Sequence, residues 1–193
     1  MLPHIHLIRH GETAWSLSRQ HTGRTDIPLT AKGEQQAHRL GDALRAVTFT
    51  RIFSSPRQRA RRTCELAGFD PAPEVEPDLC EWDYGRYEGK TTIEIVEIHP
   101  GWDLFRDGCP DGETPAQVVT RADACVARLR SCEGNVAVFS HGHFLRVLAA
   151  RWVGFPVSSA RHLLLDTASH SILGYEHNDD TRPVLALWNA GCN

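Results

Sequence analysis

No run of apolar residues in the 193-residue chain approaches the roughly 18 needed to cross a bilayer as a helix. Met1 to Ile8 lacks the basic start, long apolar middle and small-residue cleavage site of a secretory leader, so a soluble, cytoplasmic protein is expected. The six cysteines include no C-x-x-C pair and are scattered through a chain large enough to need no staples. Reduced thiols are expected in place of disulfides. There is no excess of positive charge: 21 basic against 24 acidic residues leave a formal charge of −3. That balance gives no broad field for nucleic acid or an anionic membrane, and any cation cluster must be local. No repeat, low-complexity tract or linker divides the chain, so one domain over 1–193 is expected, of a size that buries a sizeable core.

What is present is punctuation between short apolar runs. Ile5–Ile8, Arg51–Phe53, Asn135–Phe139, His162–Leu165, Ser171–Tyr175 and Val184–Trp188 read as strands. Between them, Ala37, Leu40, Gly41, Leu44 and Val47 follow helical spacing behind a Thr30 cap. Val118, Ala122, Cys125, Val126 and Leu129 form a second stripe, and His143 to Val153 a third, more buried helix. Alternation of this kind predicts an α/β fold, a three-layer sandwich with a mostly parallel sheet covered by helices on both faces. The short connection His177-Asn178-Asp179-Asp180 makes the last two strands antiparallel. Residues 85–115, rich in Gly, Asp and Pro, read as a loop-rich excursion over the sheet edge.

Ligands of open α/β sheets sit at the carboxyl ends of the strands. There the first strand meets Arg9-His10-Gly11, the second Ser54-Ser55-Pro56-Arg57-Gln58-Arg59, and a later one Ser140-His141-Gly142. Pro56 suits a first helical position, which would put Arg57, Arg59, Arg61 and Arg62 where cations oppose the helix dipole. An anion between them resolves that conflict, although at about 100° per residue only one or two of the four can face it. Two imidazoles and two arginines at one crevice suit a phosphate-sized anion with a nucleophile beside it. The competing reading is a metal held by His4-x-His6, His141-x-His143 and Glu81, which Arg9 and Arg59 would oppose by like charge.

These blocks resemble the histidine phosphatase superfamily, also called phosphoglycerate mutase-like. The resemblance runs in order through Leu7-Ile8-Arg9-His10-Gly11-Glu12-Thr13, Thr22-Gly23, Pro28-Leu29-Thr30 with Gly33, and Ser54-Ser55-Pro56-Arg57-Gln58-Arg59-Ala60 to Thr63. It continues through Glu81-Trp82-Asp83-Tyr84-Gly85 with Glu88-Gly89, and Ser140-His141-Gly142. It implies that His10 becomes phosphorylated, that Arg9, Arg59 and His141 grip the phosphoryl group, and that Glu81 protonates the leaving oxygen and then activates water. Ser16, Thr22, Gly23, Tyr84 and Gly142 are the implied substrate-binding residues. No metal and no cofactor is implied. The partner is a small phosphomonoester, and a homodimer is compatible with the family.

The position after Trp15, often asparagine in the mutases, is Ser16; the Glu81–His141 stretch is short, and the chain stops just past Trp188-Asn189 without their long tail. These departures favour a hydrolase over a cofactor-dependent mutase, with a non-catalytic phosphate-binding module as the reading from another class. Trp15-Ser16, His21-Thr22-Gly23, Asp107-Gly108-Cys109, Gly112-Glu113-Thr114, His141-Gly142-His143 and Ala150-Arg151-Trp152-Val153-Gly154 resemble the sub-branch of sedoheptulose-1,7-bisphosphatases and bacterial acid phosphatases. A sugar phosphate or bisphosphate is the substrate this implies.

Overall fold

A computed structural model describes residues 2–69 and 73–191. In chain order the first half runs β1 (His4–Arg9), α1 (Ala14–Leu17), α2 (Ala31–Leu44), β2 (Phe49–Ser54), α3 (Gln58–Leu66) and β3 (Glu74–Val75). Then come α4 (Thr92–Ile98), α5 (Leu104–Asp107), α6 (Pro115–Arg130), β4 (Asn135–Ser140), α7 (Gly142–Trp152), β5 (Ser169–Tyr175) and β6 (Pro183–Gly191). The six strands form one sheet in the order β3-β2-β4-β1-β5-β6. The first four in that order are parallel, β5 is antiparallel to β1, and β6 is antiparallel to β5.

The period of two along each strand explains the layers. On β1 and β4, Ile5, Leu7, Val136 and Val138 face the core shared with α6 and α7. Their neighbours Ile8, Ala137 and Phe139 face a second core containing Leu40 and Leu44 of α2 and Cys64 of α3. Both faces are buried, so the central strands read as continuous apolar runs. Thr30 caps α2 by accepting from the Gly33 amide, and that helix starts directly against the chain leaving β1. A Cβ on Gly11 would come within 2.4 Å of the Gly33 carbonyl oxygen, and one on Gly33 within 2.1 Å of that of Glu12. The glycines permit backbone contact that any side chain would block.

Two expectations are corrected. His162–Leu165 is not a strand: residues Val157–His162 form a 3-10 helix, and Leu164 is exposed. The carbonyls of that leucine run serve side chains instead of a ladder, with Leu165 O accepting from Arg9 and Leu164 O from the Trp188 indole. Pro56 is not the first residue of its helix, because Arg57 occupies the cap position of α3. The orphan amide of Gln58 is satisfied from outside, by Asp26 Oδ1 at 2.9 Å. Within residues 85–115 lie two short helices, α4 capped by Thr91 and α5 by Asp103. The two-residue β3 lies below the length at which alternation is readable.

Cys64, Cys109, Cys125 and Cys132 are buried, Cys80 is half-buried, and all five are free thiols. Cys192 lies outside the described residues. Burial pushes the thiols of Cys64, Cys109 and Cys125 up to about 12, which leaves them protonated and inert. No helix among the described residues is long and apolar enough to cross a membrane.

One buried polar pair gives the fold a pH dependence. His6 Nδ1 lies 2.9 Å from His170 Nε2, with the rings stacked at 5.0 Å. Burial lowers both to about 4 from an ordinary 6.5, each partner further opposing charge nearby: His4 on His6, and His6 on His170. An unfolded chain takes up protons below pH 6.5 that the folded pair refuses, so stability falls as pH drops from 6.5 towards 4. The expected loss is roughly 1–2 kcal/mol for each histidine. Urea midpoints at pH 7 and pH 5 test this: His170→Gln should flatten the dependence, and a wild-type midpoint equal at both pH values would contradict it.

Candidate active site

The carboxyl ends of β1, β2 and β4 lie side by side, with Arg9 paired to Ser140 and Ser54 to Phe139. Each strand extends its ladder one bond further: His10 N–H donates to Ser140 O at 3.1 Å, and Ser55 N–H to Phe139 O at 2.9 Å. His10, Ser55 and His141 are thereby fixed at one edge by backbone geometry. A cavity of about 280 Å³ opens there, lined by Arg9, His10, Ser16, Thr22, Glu81, Tyr84 and Gly142 among others. Seven of the ten expected site residues share this lining.

His10 is 5% exposed and its orientation is set by its own neighbour. Its Nδ1 lies 2.8 Å from Gly11 O; a carbonyl can only accept, so Nδ1 carries the proton and Nε2 keeps its lone pair. Burial, then the charges of Arg59 and Arg9, hold the imidazole pKa well below its ordinary value, outweighing the Gly11 hydrogen bond. At neutral pH the ring is an uncharged base with its nucleophilic nitrogen free.

Arg9 lines the cavity, donates to Leu165 O through Nη1, and lies against Gly142, where a Cβ would come within 3.2 Å of its guanidinium carbon. Its Nε is buried and has no hydrogen-bond partner among the described residues. Arg59 and His141 stand one layer behind, fully buried and outside the lining. Arg59 Nε donates to His141 Nδ1 at 3.2 Å, so His141 Nε2 carries the proton and donates to Ser55 Oγ at 2.8 Å. The rest of the Arg59 fork holds the carbonyls of Thr22, Gly23 and Thr25 at 2.9, 3.2 and 3.0 Å. The His10 and His141 rings are 5.2 Å apart. Of the four arginines at this helix only Arg59 is turned fully inward: Arg61 is exposed, Arg62 pairs with Glu34 and Glu65, and Arg57 is half-buried. Gly23 also stands behind the cavity, its amide bound by the Glu88 carboxylate.

Glu81 enters from the opposite wall at the N-terminus of α7. Its Oε1 accepts from the amides of Trp82 at 2.9 Å and Phe144 at 2.8 Å, and its Oε2 from His143 at 3.0 Å. Oε1 is saturated, whereas Oε2 keeps one acceptor position for a proton or a water. The backbone before it is held by Arg121 of α6, whose Nη1 donates to Asp78 O and Cys80 O at 2.6 and 2.7 Å.

The metal reading loses its ligand set here. His4 is exposed, His6 is committed to His170 in the α2–α3 layer, and neither lines the cavity. Among the described residues no three His, Cys, Asp or Glu side chains are grouped to hold a metal ion.

The sequence reading did not single out Arg19 or Arg146, and it took His21 and His143 as parts of resemblance blocks, His143 also as a metal candidate, without naming either as a site residue; all four are in the lining. A signal existed for two of these. Gly142 and Arg146 are four apart on α7, so placing Gly142 at the strand end also placed Arg146 on the same face, with His143 beside it. Tyr84 Oη lies 2.6 Å from His143 Nδ1; burial holds the phenol pKa well above 10, so the hydroxyl stays protonated and donates. His21 Nδ1 donates to Lys90 O at 2.8 Å, which leaves its Nε2 as an acceptor. Arg19 and His21 belong to a turn whose place is set by a non-local bridge between Gln20 and Thr91.

Residues 5–191 match the histidine phosphatase superfamily (branch 1). The chain belongs to that superfamily. An acid phosphatase of Mycobacterium tuberculosis is 43% identical, over 94% of this chain and 91% of that protein. The sedoheptulose 1,7-bisphosphatase of Saccharomyces cerevisiae is 35% identical over 97% and 93%. A solved structure of an open reading frame product from Mycobacterium tuberculosis superposes with a TM-score of 0.92 at 40% identity, covering 98% of both chains. The histidine phosphatase family therefore accounts for the order of the sequence blocks, and the mostly parallel six-stranded sheet is its fold.

Proposed function

We propose that this histidine phosphatase is a metal-independent phosphomonoesterase that hydrolyses a small phosphorylated metabolite, a sugar phosphate or bisphosphate, through a phosphohistidine at His10. The observation that carries the reading is the His10 ring: uncharged, Nδ1–H fixed on Gly11 O, and Nε2 free in a cavity shared with Arg9 and Glu81. In the first step the P–Nε2 bond forms as the P–O ester bond breaks, and Glu81 in its acid form delivers a proton from Oε2 to the departing alkoxide. In the second, Glu81 takes a proton from water as the oxygen attacks phosphorus and the P–Nε2 bond breaks. Phosphate leaves and both residues return to their starting states.

Positioning and charge do most of the work in phosphoryl transfer. Arg9 meets the transferring group, with Arg59 supplying charge from behind while it holds the Thr22–Thr25 carbonyls, and the uncharged His141 aligning Ser55. The free thiols suit a reducing, cytoplasmic setting. The test is turnover of 4-nitrophenyl phosphate with and without chelator, followed by rapid quench. Chelator-insensitive turnover and acid-labile, base-stable protein-bound phosphate are expected. Activity returned only by zinc or magnesium, or phosphate on serine or aspartate, would overturn the reading.

A further inference from the structure

The guanidinium that meets the phosphoryl group is held by one carbonyl. Among the described residues Leu165 O is the single acceptor for the Arg9 side chain, reached through Nη1, and Nε has no partner. Arg59, by contrast, is tied to His141 Nδ1 and to three carbonyls. The direction of the Leu165 carbonyl therefore sets the direction of the Arg9 fork. That carbonyl belongs to the Leu165–Asp166 peptide group, whose N–H lies at the opposite end of the same plane. Asn189 Oδ1 accepts from this N–H at 2.8 Å, and Asn189 Nδ2 donates to the Asp166 carboxylate at 2.9 Å. The peptide group thus has Arg9 on its oxygen and Asn189 on its hydrogen, and each bond polarises the group in favour of the other. The preceding peptide is fixed from the same strand, because Trp188 Nε1 donates to Leu164 O at 2.7 Å.

Trp188 and Asn189 are consecutive on β6, and regular alternation would send their side chains to opposite faces. The strand is bulged there: His170 pairs with Ala190 and Ile172 with Leu187, so a step of two residues on β5 meets a step of three on β6. Asn189 has a φ of +55°, a left-handed conformation that asparagine tolerates better than most residues. Its own N–H turns to Ser171 Oγ at 2.9 Å. Bulges beside active sites re-aim side chains, and this one brings two neighbours onto one loop. At the far end of that loop Ala168 is left-handed as well, at +52°, and its N–H donates to His10 O at 3.0 Å. Non-glycine backbone persists in this region only where its surroundings over-determine it, and such positions cluster at functional sites.

We infer that Asn189 is a positioning residue for phosphoryl transfer: through the Leu165–Asp166 peptide group it holds the Arg9 guanidinium on the reacting phosphoryl group, with Trp188 fixing the peptide before it. The inference rests on the phosphatase reading above and adds to it a side chain that stands outside the cavity lining. The Asp166 carboxylate that Asn189 holds contributes as well: burial disfavours the charge on Arg9, and the carboxylates of Glu81 and Asp166 favour it.

The test is a double-mutant cycle with two readouts, kcat and KM for 4-nitrophenyl phosphate and the calorimetric Kd of inorganic phosphate. Asn189→Gly removes the side chain and suits the left-handed backbone, so a urea midpoint close to wild type is expected. Its kcat should fall about tenfold and its phosphate affinity about threefold, within the roughly 10²-fold that misplacing a reacting partner can cost. Arg9→Met alone should lower kcat by about 10²–10³. Added to Arg9→Met, Asn189→Gly should change either readout by less than about twofold, because the group it positions is gone. A side chain that only stabilised the strand would multiply its full loss onto that of Arg9→Met. Asn189→Asp sets two carboxylates against each other and should be as poor as Asn189→Gly; combined with Asp166→Asn, which reverses the polarity of the pair, it should recover most of the wild-type rate. Should Asn189→Gly prove unstable, Trp188→Phe, which keeps a ring and loses the N–H, runs the same cycle. An equal loss with and without Arg9, or a wild-type kcat in Asn189→Gly, overturns the positioning role. Phosphohistidine trapped on the wild-type enzyme beside either result leaves the phosphatase reading standing. Absence of phosphohistidine, with phosphate binding that depends on Asn189 only while Arg9 is present, fails that reading and keeps the positioning role.

Discussion

Replacing His10 with alanine is expected to lower kcat/KM for 4-nitrophenyl phosphate by about 10⁶-fold, the scale on which removal of a covalent nucleophile acts. The size follows from the absence of a substitute. His141, the other imidazole at this edge, has Nδ1 on the Arg59 guanidinium and Nε2 on Ser55, and it is fully buried. His21 and His143 do line the cavity, but His143 Nδ1 is held by Tyr84 and both rings stack on each other at 5.7 Å. The fold should survive, because His10 sits at a strand end and its side chain makes one hydrogen bond among the described residues, to Gly11 O. Circular dichroism and a urea midpoint close to wild type, with no protein-bound phosphate after quench, are the companion readouts. A variant retaining even a hundredth of the activity would move the nucleophile elsewhere, first to His143.

How far the sequence disclosed this site depended on whether a residue's place is set locally. His10, Ser55 and His141 follow directly from strands ending at Arg9, Ser54 and Ser140, and a strand end needs only an apolar run and a break to be seen. Helix α2 was readable for the same reason, through the Thr30 cap and the spacing of Ala37, Leu40 and Leu44. Arg59 was singled out by its motif, but only the structure shows how its fork is used, since the three carbonyls it holds lie 34 to 37 residues earlier in the chain. Glu81 is placed by contacts more distant still, the amides of His143 and Phe144, 62 and 63 residues on, and the guanidinium of Arg121, which holds the backbone just before it. The mistaken strand at His162–Leu165 has the same origin: an apolar run predicts burial, and it was the distant partners Arg9 and Trp188 that took its carbonyls out of the sheet.

Glu81→Gln should separate proton transfer from binding through the identity of the leaving group. A sugar alkoxide is a poor leaving group that needs its proton as the P–O bond breaks, and loss of a general acid at that step costs about 10²–10⁴ in rate. The nitrophenolate leaves as a stable anion, so phosphorylation of His10 by the aryl ester should suffer far less. Dephosphorylation then becomes limiting, because the same carboxylate is the expected base for water, and phosphohistidine should accumulate with the aryl substrate. The substitution also carries a structural cost that the geometry identifies. A glutamine carbonyl can replace Oε1 in accepting from Trp82 and Phe144, but its NH₂ group would then face the His143 amide, donor against donor, where Oε2 now accepts at 3.0 Å. Losing that bond should destabilise the protein by about 1–3 kcal/mol and loosen the first turn of α7, an effect that slows both substrates alike. Single-turnover rates of phosphorylation on one sugar phosphate and on 4-nitrophenyl phosphate, for both proteins, divide the two contributions: the shared loss is structural and the excess loss on the sugar is proton transfer. Equal losses on the two substrates would leave Glu81 acting through structure and charge alone and pass the acid role to another group at the cavity, with His143, which touches Glu81 through its amide and Tyr84 through its ring, as the next to substitute.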